Sequence, residues 1–539
     1  MTVSNTADTR VYLFDSTLRD GAQTQGVDFT VADKIALAQA LDRLGVDYIE
    51  GGWPGANPTD DSFFAEPPRL ERAQLVAFGM TRRPGRSVDN DPGIAALVQA
   101  RTPAACIVGK TWDFQVEVAL GIARAENLEL IRDSLAYMGR KKAEAHFDAE
   151  HFFDGFKANR DYALACLSAA LEGGARWLVL CDTNGGTLPQ EVGEIVAAVR
   201  AELPQARLGI HCHDDTENAV ANSLAAVNAG ARQVQGTLNG LGERCGNANL
   251  CTLIPTFALK TDYETGVTAA QLAQLTAVSR LLDERLNRPA DPGAAYVGPR
   301  AFAHKGGLHV SAVAKDPRTY EHIDPALVGN RRHIVVSDQA GRSNILARFA
   351  EIGLEVDPGD PKVAALVEEV KAREFQGFAY DGAEASFELL ARRALGQVPD
   401  YFELQRFRAM DDRRWNARGE LVTESEATVT LEVAGRQMMT VAHGNGPVDA
   451  LDKALRKALL PTYPALETMR LTDYKVRILT PQAGTEAVTR VMIESAGRNG
   501  RWTTVGVSTN IIDASCNALL DAIVWKLRRE GLREPLVGA

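Results

Sequence analysis

The amino-acid sequence predicts a parallel (β/α)8 TIM barrel, followed by a helical region and a C-terminal α+β domain. Over the first part of the chain, eight short β-rich runs alternate with amphipathic stretches such as 31–44 and 191–203. Polar and charged residues follow these runs, at the end where the active site of such a barrel lies. The predicted strands are 11–15, 46–51, 74–79, 104–109, 143–148, 177–181, 207–212 and 233–237.

At 539 residues the chain exceeds what one hydrophobic core normally organises, and we expect three regions. They are a catalytic barrel over 1–267, helical accessory subdomains over 268–400 and a regulatory domain over 401–539. The last region contains a weak repeat of strands followed by a helix, which favours an effector or dimerisation module over a packing appendage. Its first unit has predicted strands 427–433 and 437–443 and helix 447–459, and its second has strands 474–479, 487–495 and 501–508 and a helix that ends at 527.

The composition restricts the class of partner. A net charge of −11 without any basic run argues against a nucleic-acid-binding surface. No apolar run approaches the ~20 residues that span a bilayer, and no leader pattern opens the chain, so we expect a cytoplasmic protein with no membrane partner. The seven cysteines are scattered and contain no Cys-x-x-Cys pair, which predicts reduced thiols. Small molecules are the expected ligands.

Asp20, His211 and His213 are the expected ligands of a metal ion. Alternate side chains of a strand share a face, so two histidines two residues apart can bind one ion. One carboxylate and two imidazoles leave coordination positions open, which suits a divalent ion that also holds a substrate. Arg19 adds a fixed positive group for a carboxylate or an oxyanion. The alternatives are histidines that only satisfy polar groups at a strand end, and an arginine in a structural ion pair with Asp15 or Asp20.

Three motifs and the C-terminal repeat resemble the 2-isopropylmalate synthase and homocitrate synthase family of metal-dependent, acyl-CoA-condensing TIM barrels. Segments 20–27 and 48–58 are similar to its citramalate synthase branch. The resemblance implies that pyruvate condenses with acetyl-CoA and that the thioester is hydrolysed to (R)-citramalate, for isoleucine and other branched-chain amino acid biosynthesis. A 2-isopropylmalate synthase acting on 2-oxoisovalerate is the alternative. The motifs are 15–21 (DSTLRDG), 209–215 (GIHCHDD) and 239–247 (NGLGERCGN).

The resemblance also implies roles for residues of the barrel. Asn247 matches an asparagine that completes or supports the shell of a divalent metal ion, Mn²⁺, Mg²⁺ or Zn²⁺. Glu150 and Thr183 match positions that bind substrate together with Arg19 and Asp20. Arg19 would stabilise charge on the keto oxygen, and Glu150 would orient the acetyl group or the hydrolytic water. For Glu150 and Thr183, bracing of loops by hydrogen bonds is the alternative.

Two implied features lie outside the barrel. His309, with His304 as the alternative, is the expected base that removes a proton from the acetyl group, although either ring could instead only join loops. The family pattern supplies this histidine from the neighbouring subunit, which implies a homodimer or a higher homo-oligomer. The C-terminal repeat implies an allosteric inhibitor, isoleucine, with leucine left open.

Two other classes compete with this interpretation. Lyases and aldolases of the same barrel group would cleave carbon–carbon bonds with the same metal ligands, but the C-terminal repeat argues against them. A non-enzymatic amino-acid sensor on a degenerate barrel is the second. Such a sensor has no physical reason to keep Arg19, Asp20, His211 and His213 together, so we favour the enzyme.

Overall fold

The computed structural model describes residues 9–335, 342–354, 356–357, 359–498 and 500–533. They form two compact units. The first comprises the described residues through Phe302 together with His322–Arg332, and the second comprises Ala303–Glu321 and the described residues from His333 onward. Within these ranges, no helix has both the length and the apolar character that crossing a bilayer requires.

The first unit contains a closed barrel of eight parallel strands. Each strand pairs with the next in sequence, and β1 closes the ring on β8 with Tyr12 opposite Gln233. This topology confirms the predicted fold class. The strands are β1 Tyr12–Asp15, β2 Tyr48–Glu50, β3 Gln74–Met80, β4 Ala104–Lys110, β5 Glu144–Glu150, β6 Trp177–Asp182, β7 Leu208–Cys212 and β8 Gln233–Gly236.

Four strands continue past the runs that predict them, and β5 and β6 are two of these. β5 includes Glu150, which is in register with Lys110 on β4, and β6 includes Asp182, which is in register with Cys212 on β7. Their side chains are polar because they lie at the carboxyl ends of the strands, so apolar periodicity stops before the backbone pairing does. Glu150 therefore lines the candidate site, whereas the Asp182 carboxylate accepts a hydrogen bond from the Thr187 hydroxyl.

Helices cover the outside of the barrel. The first begins at a capping box between Thr30 and Asp33 and ends at Gly45, whose φ of 98° only glycine adopts readily. Its buried Leu37 and Leu41 join the apolar core between helices and strands. The helices of this unit are α1 Val31–Leu44, α2 Pro58–Ala65, α3 Pro92–Gln99, α4 Asp113–Gln115, α5 Arg124–Gly139, α6 Phe152–Ala158, α7 Arg160–Glu172, α8 Pro189–Glu202, α9 Ala219–Ala229, α10 Leu250–Lys260, α11 Ala269–Leu272 and α12 Leu275–Arg285.

Several side chains inside the barrel are polar, whereas branched apolar residues dominate such interiors. Glu50, His146, Gln233 and Gln235 have no exposed surface, and Asp148 is 3% exposed. A buried polar group is costly unless it is hydrogen-bonded. Glu50, Gln235 and Asp148 have partners in or beside the candidate site, whereas His146 contacts Glu144 at the amino end of β5.

The second unit begins with helices. Two short parallel strands, β9 Ala303–His304 and β10 His333–Ile334, pair beside them. Buried Phe349, Val370 and Phe387 form an apolar cluster among the helices. The helices are α13 Gly307–Lys315, α14 Arg342–Glu351, α15 Pro361–Phe375 and α16 Glu384–Ala394.

The remainder of this unit contains two copies of one arrangement, a three-stranded antiparallel sheet followed by a helix. In each copy, a threonine hydroxyl on the third strand donates to a helix carbonyl 14 residues later, Thr440 to Ala454 and Thr504 to Ala518, at 2.8 Å in both. The internal repeat is thus present in the fold. Its elements are β11 Glu403–Trp415, β12 Leu421–Val433, β13 Arg436–Gly444 and α17 Pro447–Leu459, then β14 Arg470–Ile478, β15 Thr489–Gly497, β16 Gly500–Ser508 and α18 Ile511–Arg529.

β11 is a strand that the sequence pattern does not predict. It pairs antiparallel with β12 over most of its length, for example Phe407 opposite Val429. Most of its side chains are exposed or half-buried, and several are charged, such as Arg406, Asp411 and Arg413. Without a buried face, a strand lacks the apolar alternation that identifies it.

Candidate active site

The carboxyl ends of the barrel strands surround a cavity of about 280 Å³. Apolar walls come from Trp53 and Phe78, whose rings pack edge to face at 5.3 Å, and from Val108. The cavity is where a parallel barrel binds its ligand. Six of the expected site residues line it, namely Arg19, Asp20, Glu150, Thr183, His211 and His213.

Asp20, His211 and His213 converge in this cavity, and all three are buried. The Asp20 Oδ2 atom lies 3.2 Å from His211 Nε2 and 3.8 Å from His213 Nε2. Burial opposes ionisation of Asp20, but Arg19 and His211 outweigh it and hold the pKa of Asp20 well below its ordinary value. Burial and the neighbouring His211 lower the pKa of His213 to about 4. An ionised carboxylate and a neutral imidazole are the forms that bind a metal ion.

Asn247 lies beside this group, because its backbone pairs with His213. Its Nδ2 donates to the Leu241 carbonyl at 3.1 Å, whereas its Oδ1 is buried and has no hydrogen-bond partner among the described residues. Asp20 Oδ1 is likewise buried and has no hydrogen-bond partner among the described residues. Gly246 permits this position, since a Cβ atom there would lie 2.0 Å from the Gly240 carbonyl oxygen. Two unpartnered buried oxygens next to two imidazoles fit a divalent metal ion.

Arg19 is held in a fixed orientation. Its Nε donates to Glu50 Oε2 at 2.7 Å, its guanidinium lies 3.9 Å from the centre of the Phe78 ring, and an Nη lies 3.4 Å from Asp20. Burial works against its charge, but Glu50 and Asp20 outweigh burial and raise the pKa of Arg19. The structure therefore places a permanent positive charge beside the three converging side chains.

Asp15, proposed as an alternative partner of Arg19, instead organises the backbone. It accepts hydrogen bonds from the Thr17 N–H at 2.9 Å and hydroxyl at 2.8 Å. The Thr17 hydroxyl oxygen in turn accepts from the Leu238 N–H at 2.8 Å, which ties the loop after β1 to the loop after β8. Burial raises the pKa of Asp15 to about 7, against the opposing effect of the Thr17 hydrogen bonds.

Glu150 and Thr183 lie at the opposite side of the cavity and already have partners. Glu150 forms an ion pair with Lys110 at 2.5 Å, and the Thr183 hydroxyl oxygen accepts from the His151 N–H at 2.8 Å. Arg244, with a φ of 56°, donates to the Thr183 carbonyl at 2.8 Å. The Thr183 hydroxyl thus makes a hydrogen bond that braces the loop at His151. The half-buried Glu150 carboxylate still borders the cavity.

The two histidines expected as base both belong to the second compact unit. His304 on β9 is buried, and its Nε2 lies 3.1 Å from Glu321 Oε1. His309 in α13 is exposed and stacks on Tyr320, with ring centres 4.2 Å apart. Each ring therefore has a local contact, but only His309 faces solvent. A catalytic role for either remains a prediction.

Sequence reasoning missed three side chains that support the site. Glu50 holds Arg19, Gln235 contacts His211, and Asp148 contacts Gln235. Glu50 ends β2, a position that could have marked it as a site residue. Gln235 and Asp148 sit within apolar strand runs, and no spacing in the sequence links them to their partners.

A second groove, of about 490 Å³, shares Trp53 and Met80 with the first cavity. Two arginines line it. Arg82 donates to Asp133 at 2.8 Å, whereas the exposed Arg83 side chain forms no ion pair with any residue in the described ranges. The groove therefore adjoins the cavity at Trp53 and Met80, and its charged lining residues are Arg82, Arg83 and Asp91.

The cysteines are free thiols, as the sequence predicts, and six of the seven are buried. Burial raises the pKa of Cys106, Cys181 and Cys212 well above the ordinary value, so these thiols are unreactive. Cys245 alone is exposed, on the loop between Arg244 and Asn247.

Three family models match the chain along its length. Residues 10–281 match the HMGL-like model, residues 296–376 match a homocitrate synthase post-HMGL domain-like model, and residues 381–527 match the LeuA allosteric (dimerisation) domain. The barrel lies within the first of these matches, and the repeated C-terminal units correspond to most of the last.

Known proteins are similar over nearly the whole chain. A protein named (R)-citramalate synthase from Aquifex aeolicus is 50% identical, over 97% of this chain and 98% of that protein. Another of that name from Geobacter sulfurreducens is 51% identical, over 96% and 98%. A 2-isopropylmalate synthase from Dictyoglomus turgidum is 30% identical, over 95% and 98%. Similarity is thus stronger to the first two than to the third.

Proposed function

This chain belongs to the HMGL-like family, in its (R)-citramalate synthase branch, and from that membership we propose that it condenses acetyl-CoA with pyruvate and hydrolyses the thioester to give (R)-citramalate and CoA. It is a condensing, acyl-transferring enzyme. The observation that carries the proposal is the convergence of Asp20, His211, His213 and Arg19 on one cavity at the barrel mouth. That cavity matches a small 2-oxo acid in size and charge.

Asp20, His211 and His213 would hold a divalent ion, and Asn247 would contribute its unpartnered carbonyl oxygen. When bound, the ion supplies Lewis acidity that orients and polarises the keto group. Two imidazole ligands favour Mn²⁺ or Zn²⁺ over Mg²⁺, which prefers shells of oxygen. Elemental analysis of the purified protein would identify the ion.

Arg19 would stabilise the negative charge that grows on the keto oxygen as the carbon–carbon bond forms. Glu50 and Phe78 hold its guanidinium in place before the substrate arrives, so little reorganisation is needed in the transition state. Glu150, fixed by Lys110, would orient the acetyl group or the water that hydrolyses the thioester. Thr183 would contact the 2-oxo acid.

We assign proton removal from the acetyl group to His309, because its ring is exposed whereas that of His304 is buried against Glu321. The base would come from the neighbouring subunit of a homodimer. The match to an allosteric dimerisation domain supports an oligomer.

Mixing two inactive variants tests this assignment. Asp20→Ala lacks the metal site and His309→Ala lacks the base, so only hybrid dimers would contain one intact site. Co-refolded or co-expressed mixtures should recover up to about a quarter of wild-type activity, the statistical share for a two-fold dimer. Recovery with His304→Ala in place of His309→Ala would transfer the role to His304, and no recovery with either would exclude a shared site.

The CoA portion of the substrate would occupy the groove next to Trp53 and Met80. Its phosphates would find a free cation in Arg83, while Arg82 is already paired with Asp133. Arg83→Ala should raise the KM for acetyl-CoA about tenfold and leave the KM for pyruvate unchanged. Exposed Arg86, also in this loop, provides the control variant, and equal effects of both would argue for a diffuse charge effect.

Thiol release from acetyl-CoA by the metal-loaded protein tests the overall function. Pyruvate, 2-oxobutyrate, 2-oxoisovalerate and 2-oxoglutarate are supplied in parallel, and products are identified by mass. We expect strong preference for pyruvate and formation of citramalate. Preference for 2-oxoisovalerate would make the protein a 2-isopropylmalate synthase, and no release with any acid would reject a condensing activity.

The region from about residue 401, which contains the two repeated units, would carry feedback regulation. We propose isoleucine as the inhibitor. The match of this region to an allosteric domain supports regulation there, whereas the choice of isoleucine as effector rests on the product of the pathway. Thiol release measured against isoleucine and leucine in parallel decides between them, and no effect of either amino acid would contradict the proposal.

A further inference from the structure

We propose that Gln235 and Asp148 form a positioning pair that determines which ring nitrogen of His211 faces the metal site. The His211 Nδ1 atom lies 2.8 Å from Gln235 Oε1, and Gln235 Nε2 donates to Asp148 Oδ1 at 3.1 Å. His211 is 4% exposed, Asp148 3% and Gln235 not at all. The inference rests on the proposed function only in that the site binds a divalent ion.

The direction of these hydrogen bonds follows from donor chemistry. A carboxylate only accepts, so the amide NH₂ of Gln235 must face Asp148. The amide oxygen of Gln235 must then face His211, and Nδ1 of His211 must carry the proton. Nε2, which lies 3.2 Å from Asp20 Oδ2, is therefore the nitrogen that would bind an ion, in exchange for any proton it shares with Asp20.

The pair is anchored in the strands and not in loops. Gln235 lies on β8 in register with His211 on β7, whereas Asp148 lies on β5, which is not adjacent to β8 in the barrel. The two hydrogen bonds therefore cross the barrel interior beneath the cavity. Partners of this kind fix ligand orientation, and their loss typically weakens metal binding 10–100-fold.

Asp148 also belongs to a second cluster, with Glu50 and Cys106, whose ligand atoms lie within 4.8 Å of one another. A metal ion there would compete with existing partners. Glu50 Oε2 already accepts from Arg19 at 2.7 Å and from the Ser16 hydroxyl at 2.5 Å, and Asp148 accepts from Gln235. The positive Arg19 beside this cluster opposes a second cation, so we assign Asp148 to the orientation of His211.

The experiment measures Mn²⁺ affinity, by titration of the full-length apoprotein against a chromophoric chelator. Gln235→Leu should weaken binding 10–100-fold. Gln233→Leu is the matched control, because Gln233 is equally buried on the same strand and accepts from Gln235 Nε2 at 3.4 Å, but makes no hydrogen bond to His211 in the described part of the chain. It should bind Mn²⁺ within about threefold of wild type. Circular dichroism and thermal unfolding would verify that both variants fold.

A variant that exchanges the carboxylate at position 148 and the amide at position 235 gives the most direct test of the positioning role. In Asp148→Asn, Gln235 can turn its NH₂ group toward His211, and affinity should fall. In the double variant Asp148→Asn, Gln235→Glu, the new carboxylate accepts from both His211 Nδ1–H and the new amide, so affinity should return to within about threefold of wild type.

Wild-type affinity in Gln235→Leu, an equal loss in Gln233→Leu, or no recovery in the double variant would overturn the positioning role. A wild-type protein that binds no divalent ion would overturn both this inference and the metal site. Metal affinity is independent of substrate, so a protein that binds Mn²⁺ but releases no thiol from acetyl-CoA would contradict only the proposed function.

Discussion

The barrel and the C-terminal repeat are both built from repeated units, and the comparison shows two uses of repetition. In the barrel, the eight strands lead into loops that carry different residues, and ring closure brings Asp20, Arg19 and His211 into one cavity. In the C-terminal units, Thr440 and Thr504 make the same hydrogen bond to equivalent carbonyls. Among the described residues, both clusters able to hold a metal ion lie in the barrel. Convergence of unlike residues provides chemistry, whereas repetition of like residues provides a symmetric framework.

Of the substitutions in the barrel and in the repeat, we expect the largest loss of activity from a change at Asp20. Asp20→Ala removes the carboxylate between two imidazoles and should lower thiol release by about 10³-fold or more, because the ion and its Lewis acidity are lost. Circular dichroism would verify that the variant folds, and its melting temperature should fall, since Asp20 Oδ2 pairs with Arg19 and His211. Substantial turnover by a variant free of bound metal would remove Asp20 from the metal site.

A smaller loss is expected at Arg19. Lysine keeps the charge but cannot both donate from a planar fork to Glu50 and stack on Phe78, so Arg19→Lys should lower kcat about 10²-fold. The affinity for Mn²⁺ should remain unchanged. Steady-state kinetics and metal titration would distinguish a loss of catalysis from a loss of metal binding. An effect confined to the KM for pyruvate would indicate that Arg19 binds the substrate without stabilising the transition state.

Asp15 should make the stability of the barrel depend on pH. Since burial raises its pKa from 3.8 to about 7, the folded state binds this proton more tightly than the unfolded chain. Its stabilising contribution is complete below about pH 4 and is lost as pH rises through about 7. The apoprotein should therefore lose stability relative to Asp15→Asn between about pH 4 and pH 7. Denaturant unfolding at several pH values would measure this, and parallel curves would contradict it.

The smallest effects are expected in the repeat. Thr440→Val and Thr504→Val each remove one buried hydrogen bond and should each lower the free energy of unfolding by about 1 kcal/mol. Thiol release and Mn²⁺ affinity should not change in the absence of an effector. Very different losses at the two positions would show that the units are alike in topology but not in packing.

Much of the fold was predictable because buried parallel strands are continuous apolar runs, and all eight appear within one or two residues of their expected bounds. Alternation along β7 also predicts that His211 and His213 share a face, as they do. β11 was not predictable, since its exposed, charged residues carry no apolar period. Gln235 and Asp148 were hidden for another reason. They are 87 residues apart, and only closure of the barrel brings them together.

The exposed thiol of Cys245 offers an experimental advantage. Because the other six cysteines are buried, a maleimide dye would label the folded protein at one defined position without any mutagenesis. That position is two residues from Asn247, on the loop that reaches the metal site. The fluorescence of the attached dye would report the binding of ion and substrate in real time, and would provide rate constants that steady-state assays cannot resolve.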